Sequence, residues 1–507
     1  MRDIFMLIND LDVGRGGITR VFLDRASYFA NDGLNSHIIS FTYKEDFSRI
    51  YKSLIEARRL STSVKKINMF DYYSEKNTRS KLKINENDHL LEEPEFKVHL
   101  EEFELFKHAR YFDMNGQYRK YKKWNKDKEL KFISYFTEDK VEYKREEYHP
   151  SGYKSRTRIY TKDEKKLKFE TYFTTDGFAY LTLDYDLKTG YPGMIFLFNR
   201  EDNKAKFFNG NALVNFQVYF LEELADNSLS KPVLINDSIE LTNVIAKVDM
   251  DKMTKISTTH NNHFKAPFEM GAETKDNFKN LFKQNKSLDA IVLLTDSQYR
   301  DVKQEYPEID NLYVVPNALS KLEEVKVSKD INLITVISRM DSQKNLGDII
   351  KAFKIVYKEN HTVKLRLFGK GPAEDEIKNL IKSEGIEEAI EIHGYTNEVN
   401  IKLKESIFTV MTSTFEGSPM IIRESMSVET PVICYDINYG PRDIIEDGVD
   451  GIIIKDRSIT SLAERMQYLL NNPELAIKMG EKAKENVYNK FYEHKVKEMW
   501  VNLINRL

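Results

Sequence analysis

The sequence is poor in cysteine, which restricts the classes of protein that it can encode. It has one cysteine among 507 residues, and this excludes a disulfide framework and argues against a cysteine-based zinc site. That residue, Cys434, lies in the apolar run 431–435 and is expected in a buried strand. A protein that works in the reducing cytoplasm fits this pattern.

Long hydrophobic runs and an excess of charge of one sign are also absent. No segment approaches the roughly 20 apolar residues that a spanning helix needs, and the run 4–8 is too short for a signal-peptide core. The formal net charge is −3, from 77 basic and 80 acidic residues. No global attraction to nucleic acid or membrane follows. We expect a soluble cytoplasmic protein without a nucleic-acid partner, peripheral at most at the inner face of the membrane.

The length and the hydrophobic patterning predict a chain of several α/β parts. Segments 4–8, 18–29 and 37–41 read as strand, helix and strand around a glycine turn, which is the opening of a βαβ unit. From 77 to 211 the pattern changes to short alternating aromatic and charged segments, typical of an antiparallel β-meander. Parallel-type runs then resume, so the first Rossmann-like domain is predicted at 1–76 and 212–320, with 77–211 as an insertion.

A second α/β series follows the charged linker 321–330. Short apolar runs alternate with helical patterns and predict a doubly wound parallel sheet within a domain at 321–485. These runs are 333–337, 364–368, 390–393, 407–411, 432–435 and 451–454. A C-terminal helix at 486–507 is expected to pack back on the first domain. Two doubly wound domains imply a cleft at the carboxyl ends of their strands, where such sheets bind nucleotide-like ligands.

The stretch 415–426 carries two glutamates, Glu416 and Glu424, eight residues apart across a junction from loop to helix. Ser418, Pro419 and the backbone near Met420 form the predicted helix N-terminus, with Pro419 in the first helical position. Such a terminus favours an anionic phosphate. Taken alone, the motif also fits an ordinary helix start with surface glutamates.

Two cations follow the first strand of the second domain, in the segment that begins at Ser338. Arg339 and Lys344 are the cations that a departing diphosphate needs where no divalent metal neutralises it. Asp-x-Asp patterns at 10–12 and 184–186 match a metal-dependent transferase, but one lies in the glycine turn and the other in the meander. Together with the two glutamates, the cations predict a nucleotide-sugar site with no metal and no cofactor.

Weaker signals lie where such a site would place them. Gly16 and Gly17 let the backbone approach a ligand closely at the first turn. His260 and His263 follow a strand. Either could place its imidazole against the donor sugar, or could be a structural histidine of the core. Tyr395 ends another strand, suited to stacking a uracil ring or to ordinary packing.

These motifs resemble the donor site of a known family. The Arg339/Lys344 and Glu416/Glu424 pairs and the segment 439–443 are similar to the GT-B retaining glycosyltransferases that include sucrose and glycogen synthases. The segment 10–17 and the β-rich insertion narrow the resemblance to wall teichoic acid α-glycosyltransferases of the TarM and TagE type.

The resemblance implies UDP-GlcNAc or UDP-glucose as donor and poly(ribitol phosphate) or poly(glycerol phosphate) as acceptor. It also implies a homotrimer formed through the insertion. By this resemblance Glu416 contacts hydroxyls of the transferred sugar, Glu424 contacts the ribose, and the family's histidine is His263, our preference, or His260.

Local charge in the insertion supports a polyanionic acceptor. Residues 119–170 hold 17 Lys and Arg against 10 Asp and Glu, a surplus that can track repeated phosphates or simply protect a solvated sheet face. Two rival functions stay open: an O-GlcNAc transferase for serine-rich adhesins, and a non-catalytic glycan-binding or chaperone subunit of a glycosyltransferase complex.

Overall fold

The computed structural model describes residues 2–12, 17–104, 106–320 and 326–507. The strands are β1 Asp3–Ile8, β2 Asn35–Ser40, β3 Lys65–Asn68, β4 Lys97–Phe103, β5 Phe106–Phe112, β6 Tyr118–Asn125, β7 Leu130–Phe136, β8 Glu142–Tyr148, β9 Lys154–Tyr160, β10 Leu167–Phe173, β11 Ala179–Tyr185, β12 Pro192–Asn199, β13 Lys204–Phe208, β14 Val233–Asn236, β15 Thr254–Thr258, β16 Ala290–Leu293, β17 Leu312–Val314, β18 Asp330–Ile337, β19 Lys364–Phe368, β20 Ile390–His393, β21 Ser406–Met411, β22 Val432–Tyr435 and β23 Ile452–Ile454.

The helices alternate with the parallel strands and dominate the C-terminal end. They are α1 Ile18–Asn31, α2 Phe47–Glu56, α3 Met69–Asn77, α4 Glu86–His89, α5 Ala212–Asp226, α6 Thr242–Ile245, α7 Asp276–Lys283, α8 Asp296–Glu305, α9 Leu346–Glu359, α10 Glu374–Glu384, α11 Val399–Lys404, α12 Met420–Ser427, α13 Pro441–Ile444, α14 Ile459–Asn471, α15 Pro473–Phe491 and α16 Glu493–Arg506. Among the described helices, none has the length and apolar character needed to cross a membrane.

The chain forms two compact units. The first comprises Met1–Arg15, Asn35–Pro232 and Asn243–Met253. Here β1, β2 and β3 pair in parallel, and β4 to β13 form a ten-stranded antiparallel sheet in which each strand pairs with its sequence neighbours. This sheet lies within the predicted insertion, 77–211, and has the meander topology that the alternating pattern predicts.

Many basic side chains of this antiparallel sheet form ion pairs, either with a neighbouring strand or with the segment that precedes β4. Lys154 on β9 contacts Glu146 on β8 at 3.0 Å, and Arg158 on β9 contacts Glu170 on β10 at 2.8 Å. Lys122 is fully buried, and its Nζ contacts a carboxylate oxygen of Glu93 at 2.7 Å. Opposite charges on facing strands stabilise a sheet, so these cations already have structural partners within the protein.

The second unit comprises Gly16–Leu34, Val233–Thr242 and Thr254–Leu507. Strands β14 to β17 pair in parallel in sequence order. A six-stranded parallel sheet has the order β20-β19-β18-β21-β22-β23, and its members correspond to the six apolar runs that the sequence predicts. The order reverses between β18 and β21, and open α/β sheets bind ligands at the carboxyl ends of the strands beside such a switch point.

The C-terminal segment differs in detail from its prediction. Residue 486, the predicted start of a last helix, lies inside α15, and the last helix, α16, begins at Glu493. Helix α16 packs on α1, where the rings of Trp500 and Phe29 meet edge to face at 6.4 Å. The other predicted domain limits stay predictions.

Candidate functional site

Two loops meet at the carboxyl ends of β18 and β21. The Thr412 hydroxyl donates to the Asn345 carbonyl at 2.9 Å, and the Thr414 amide donates to the Gln343 carbonyl at 2.8 Å. The Gln343 side chain donates to the Phe415 carbonyl at 2.9 Å. These hydrogen bonds join the two loops directly. The loop that carries the predicted cations therefore lies beside the loop that leads to the predicted glutamates.

Lys344 and Glu416 are in direct contact. The Lys344 ammonium donates to the Glu416 carboxylate at 2.5 Å, and the two side chains are 19% and 12% exposed. Arg339 instead is 71% exposed and contacts Asp341 at 3.1 Å. Of the two cations that follow β18, Lys344 is therefore enclosed beside a carboxylate, and Arg339 is exposed.

The loop after β21 leads into α12, the helix that carries Glu424. The helix begins at Met420, so Pro419 precedes the helix instead of occupying its first position as predicted. Ser418 is buried, and the Arg423 guanidinium donates to its hydroxyl oxygen. The hydroxyl hydrogen of Ser418 is therefore available to another acceptor. Glu424 is mostly buried and forms an ion pair with Arg20 on α1.

Arg423 is a site residue that the sequence reasoning missed. It is fully buried, donates to the Asn317 carbonyl at 3.0 Å and lies over the ring of Phe491 at 4.4 Å. Burial lowers the pKa of its guanidinium to about 9. The available signal was an arginine directly after the apolar pair 421–422, one helical turn from the predicted phosphate-binding terminus.

His263, the preferred histidine of the sequence prediction, lies in the core. Its ring is fully buried and lies parallel to the ring of Tyr439, with the centroids 5.7 Å apart. The rings of Phe264, Phe278 and Phe282 pack around it. Burial lowers the pKa of the imidazole to about 3, so the ring stays neutral.

His260 lies closer to the glutamate loop. A Cβ atom placed on Gly417 would lie 2.4 Å from the His260 carbonyl oxygen, so the backbones of the two loops touch beside Glu416. The ring nitrogen Nε2 of His260 lies 2.6 Å from a carboxylate oxygen of Asp237. The His260 side chain is itself only 6% exposed, but its backbone touches the loop of Glu416, whereas aromatic rings surround His263. We therefore place the expected contact with the sugar at His260, while the contact at His263 stays an untested prediction.

A pH experiment checks the structural role of His263. An unfolded histidine takes up a proton below about pH 6.5, whereas the native ring with its pKa of about 3 does not. The native state therefore loses stability as the pH falls from 6.5 towards 3. His263→Phe should remove about 2 kcal/mol of the loss between pH 7 and pH 5, measured by urea unfolding. Equal losses in the two proteins would contradict this role.

The remaining predicted residues have varied environments. Tyr395 is 72% exposed, which leaves its ring open for stacking. Ser338 is half-buried and donates to the Arg339 carbonyl at 3.3 Å. Gly17 has φ of 58°, in the left-handed region that favours glycine, whereas Gly16 lies outside the described residues. In the described part of the chain, no group of three His, Cys, Asp or Glu side chains is placed to hold a metal ion.

The fold and this site define a class. The Rossmann-like parallel sheets and the antiparallel insertion are those of the GT-B fold. Residues 320–486 match the family model described as glycosyl transferases group 1. The chain therefore is a glycosyltransferase of the GT-B fold with a group 1 domain at its C-terminal side.

Similar proteins extend the likeness beyond this domain. The poly(ribitol-phosphate) alpha-N-acetylglucosaminyltransferase of Staphylococcus aureus is 27% identical over 508 residues, covering 100% of both chains. A solved structure of a point mutant of S. aureus TarM with UDP, fondaparinux and alpha-GlcNAc-glycerol matches with a TM-score of 0.87 at 25% identity over 100% of both chains. The poly(glycerol-phosphate) alpha-glucosyltransferase of Bacillus subtilis is 28% identical over 49% of this chain and 37% of its own length.

Proposed function

We propose that the protein is a retaining α-glycosyltransferase that moves GlcNAc from UDP-GlcNAc to poly(ribitol phosphate) wall teichoic acid. Glucose and poly(glycerol phosphate) are the alternative sugar and acceptor. The contact between Lys344 and Glu416 at the switch point carries the proposal, because it joins a diphosphate-binding cation to a sugar-binding carboxylate. The full-length similarity to the S. aureus enzyme supports the choice of substrates.

In the proposed reaction, the acceptor hydroxyl attacks the anomeric carbon from the face that UDP leaves. Its proton passes to the departing phosphate, so that no protein nucleophile is required. Lys344 and Arg339 stabilise the charge that develops on the diphosphate, and the Ser418 hydroxyl and the start of α12 donate to its oxygens. Glu416 accepts hydrogen bonds from hydroxyls of the sugar. Glu424 releases its ion pair with Arg20 and accepts hydrogen bonds from the ribose hydroxyls instead.

A matrix of donors and acceptors tests the function. UDP-GlcNAc and UDP-glucose are each incubated with poly(ribitol phosphate), poly(glycerol phosphate) and a serine-rich polypeptide, and UDP release is measured. We expect the fastest release with UDP-GlcNAc and poly(ribitol phosphate). Transfer to the polypeptide alone would favour the adhesin-modifying alternative. No release with any pair would favour the non-catalytic subunit.

We also propose that catalysis requires no metal ion. Lys344 and Arg339 supply the positive charge that a divalent cation supplies in other transferases. Activity in the same assay should stay within about twofold of its starting value after dialysis against EDTA. Loss of activity that Mg²⁺ or Mn²⁺ restores would contradict this proposal.

We further propose that the protein is a homotrimer that associates through the insertion. We also propose that it is located in the cytoplasm. Edge strand β4 supports self-association because it presents Leu100 and Phe103, which are 37% and 53% exposed. Such an edge is a template for pairing with another chain. Sedimentation velocity should give a trimer for the native protein and smaller species for Phe103→Lys. A native monomer would contradict the proposed assembly.

A further inference from the structure

A buried acidic residue outside the proposed catalytic set has more partners than a purely structural ion pair requires. Asp237 follows β14, and its side chain is fully buried beside Arg25 of α1, whose side chain is 3% exposed. One guanidinium nitrogen of Arg25 lies 2.9 Å from each carboxylate oxygen. The Arg25 guanidinium also lies over the ring of Trp500 of α16, with its central carbon 4.6 Å from the ring centroid. The carboxylate is therefore held in one orientation.

The same carboxylate faces His260. Its Oδ1 lies 2.6 Å from Nε2 of the imidazole and accepts a hydrogen bond from the Thr258 hydroxyl at 2.9 Å. Burial opposes ionisation of Asp237, but Arg25 and His260 outweigh it and hold its pKa at about 2. An ionised carboxylate only accepts hydrogen bonds, so Nε2 of His260 must carry a hydrogen.

The hydrogen on Nε2 determines whether Nδ1 of His260 donates or accepts a hydrogen bond. In the neutral imidazole with a hydrogen on Nε2, Nδ1 is a bare acceptor. Nδ1 of His260 is buried and has no hydrogen-bond partner among the described residues. A buried polar atom without a partner is costly unless a ligand satisfies it. The backbone of His260, which carries this ring, touches Gly417 in the loop of Glu416.

We propose that Asp237, held by Arg25, is a positioning residue that fixes the tautomer of His260 so that Nδ1 accepts a hydrogen bond from a hydroxyl of the transferred sugar. The sugar contact rests on the proposed function, whereas the tautomer does not. The alternative is a purely structural ion pair that attaches α1 to the parallel sheet. The two accounts differ in what Asp237→Asn does to the imidazole.

The tautomer is measured by ¹⁵N NMR on protein labelled at histidine, with His260→Gln identifying the signals. In the native protein we expect a hydrogen on Nε2, and a hydrogen on Nδ1 overturns the proposal without any variant at Asp237. In Asp237→Asn, the amide oxygen turns to Arg25, which only donates, and the amide NH₂ faces the ring. The hydrogen should then move to Nδ1. An unchanged tautomer supports the structural alternative and overturns the proposal.

Kinetics provide the second readout. Asp237→Asn should lower kcat/KM for the UDP-sugar about tenfold, the worth of one hydrogen bond. In a His260→Ala background, the same change should cost less than about twofold, because the ring through which Asp237 acts is gone. Equal losses in both backgrounds would overturn the proposal.

A matched control uses another buried carboxylate in the same unit. Asp450 is 2% exposed and accepts a hydrogen bond from Asn486 at 2.6 Å. Asp450→Asn should leave both the His260 tautomer and kcat/KM unchanged, and a change as large as that of Asp237→Asn would overturn the proposal. If the native protein releases no UDP from any donor, the proposed function fails, and the NMR result still decides the positioning role.

Discussion

Lys344→Ala is expected to lower turnover at least ~100-fold, the size of effect that follows loss of a preorganised donor to charge in the transition state. The ammonium is enclosed and already directed by Glu416 at 2.5 Å, so little reorganisation is needed when the diphosphate departs. Steady-state UDP release with the best donor and acceptor measures the effect. Near-native turnover would show that Lys344 does not stabilise the leaving group.

A second lysine–glutamate pair in the same sheet domain is the matched control. Lys354 contacts Glu384 at 2.6 Å, and the side chains are 32% and 22% exposed. The pair joins helices α9 and α10, away from the two loops of the site. Lys354→Ala should therefore leave turnover within about twofold of the native value, because partly exposed pairs contribute little. A large loss in this variant would mean that the assay reports folding.

Gly417→Ala should have an effect of similar size for a steric reason. The added Cβ would lie 2.4 Å from the His260 carbonyl oxygen and 2.7 Å from the Asn261 nitrogen. Both are backbone atoms that cannot rotate away, so the loop of Glu416 must shift. A displacement near 1 Å at a reacting centre costs about 100-fold, and we expect that loss in kcat/KM. Native kinetics for this variant would contradict the close approach of the two loops.

Gly347→Ala provides the comparison for this glycine change. It lies in α9, and the nearest atom to its added Cβ is a Leu380 methyl carbon at an ordinary 3.5 Å. Gly347 lies in the first turn of α9, where alanine is still the better helix former, by less than the roughly 0.5–1 kcal/mol that separates the two residues in a helix interior. We expect native kinetics and a slightly raised melting temperature. A loss of activity here would indicate that any added methyl group in this domain is harmful.

The strands of the sheet and the paired motifs could be predicted from the sequence because they depend on local patterning. Each of the six apolar runs after residue 330 is a strand of the parallel sheet. Parallel strands place their carboxyl ends at one edge, which is why Lys344 and Glu416 could be expected together although 72 positions separate them.

The environment of each histidine could not be predicted in this way. His260 and His263 are three positions apart, and their environments are decided by residues far along the chain. Tyr439, 176 positions from His263, covers that ring, whereas Asp237, 23 positions from His260, holds the other. Arg423 was missed for the same reason, since its acceptor Asn317 is 106 positions away. Burial of single side chains depends on such tertiary partners, which periodicity does not contain.

The topology of the ten-stranded sheet has a consequence for how this class of protein changes over evolutionary time. Since each of its strands pairs only with the strand before and after it, contacts are local in sequence, a property that favours rapid folding. A duplication or deletion of two adjacent strands at a sheet end would leave the other pairings intact. The width of the sheet can therefore be altered by whole hairpins without disturbing the strand pairs that remain.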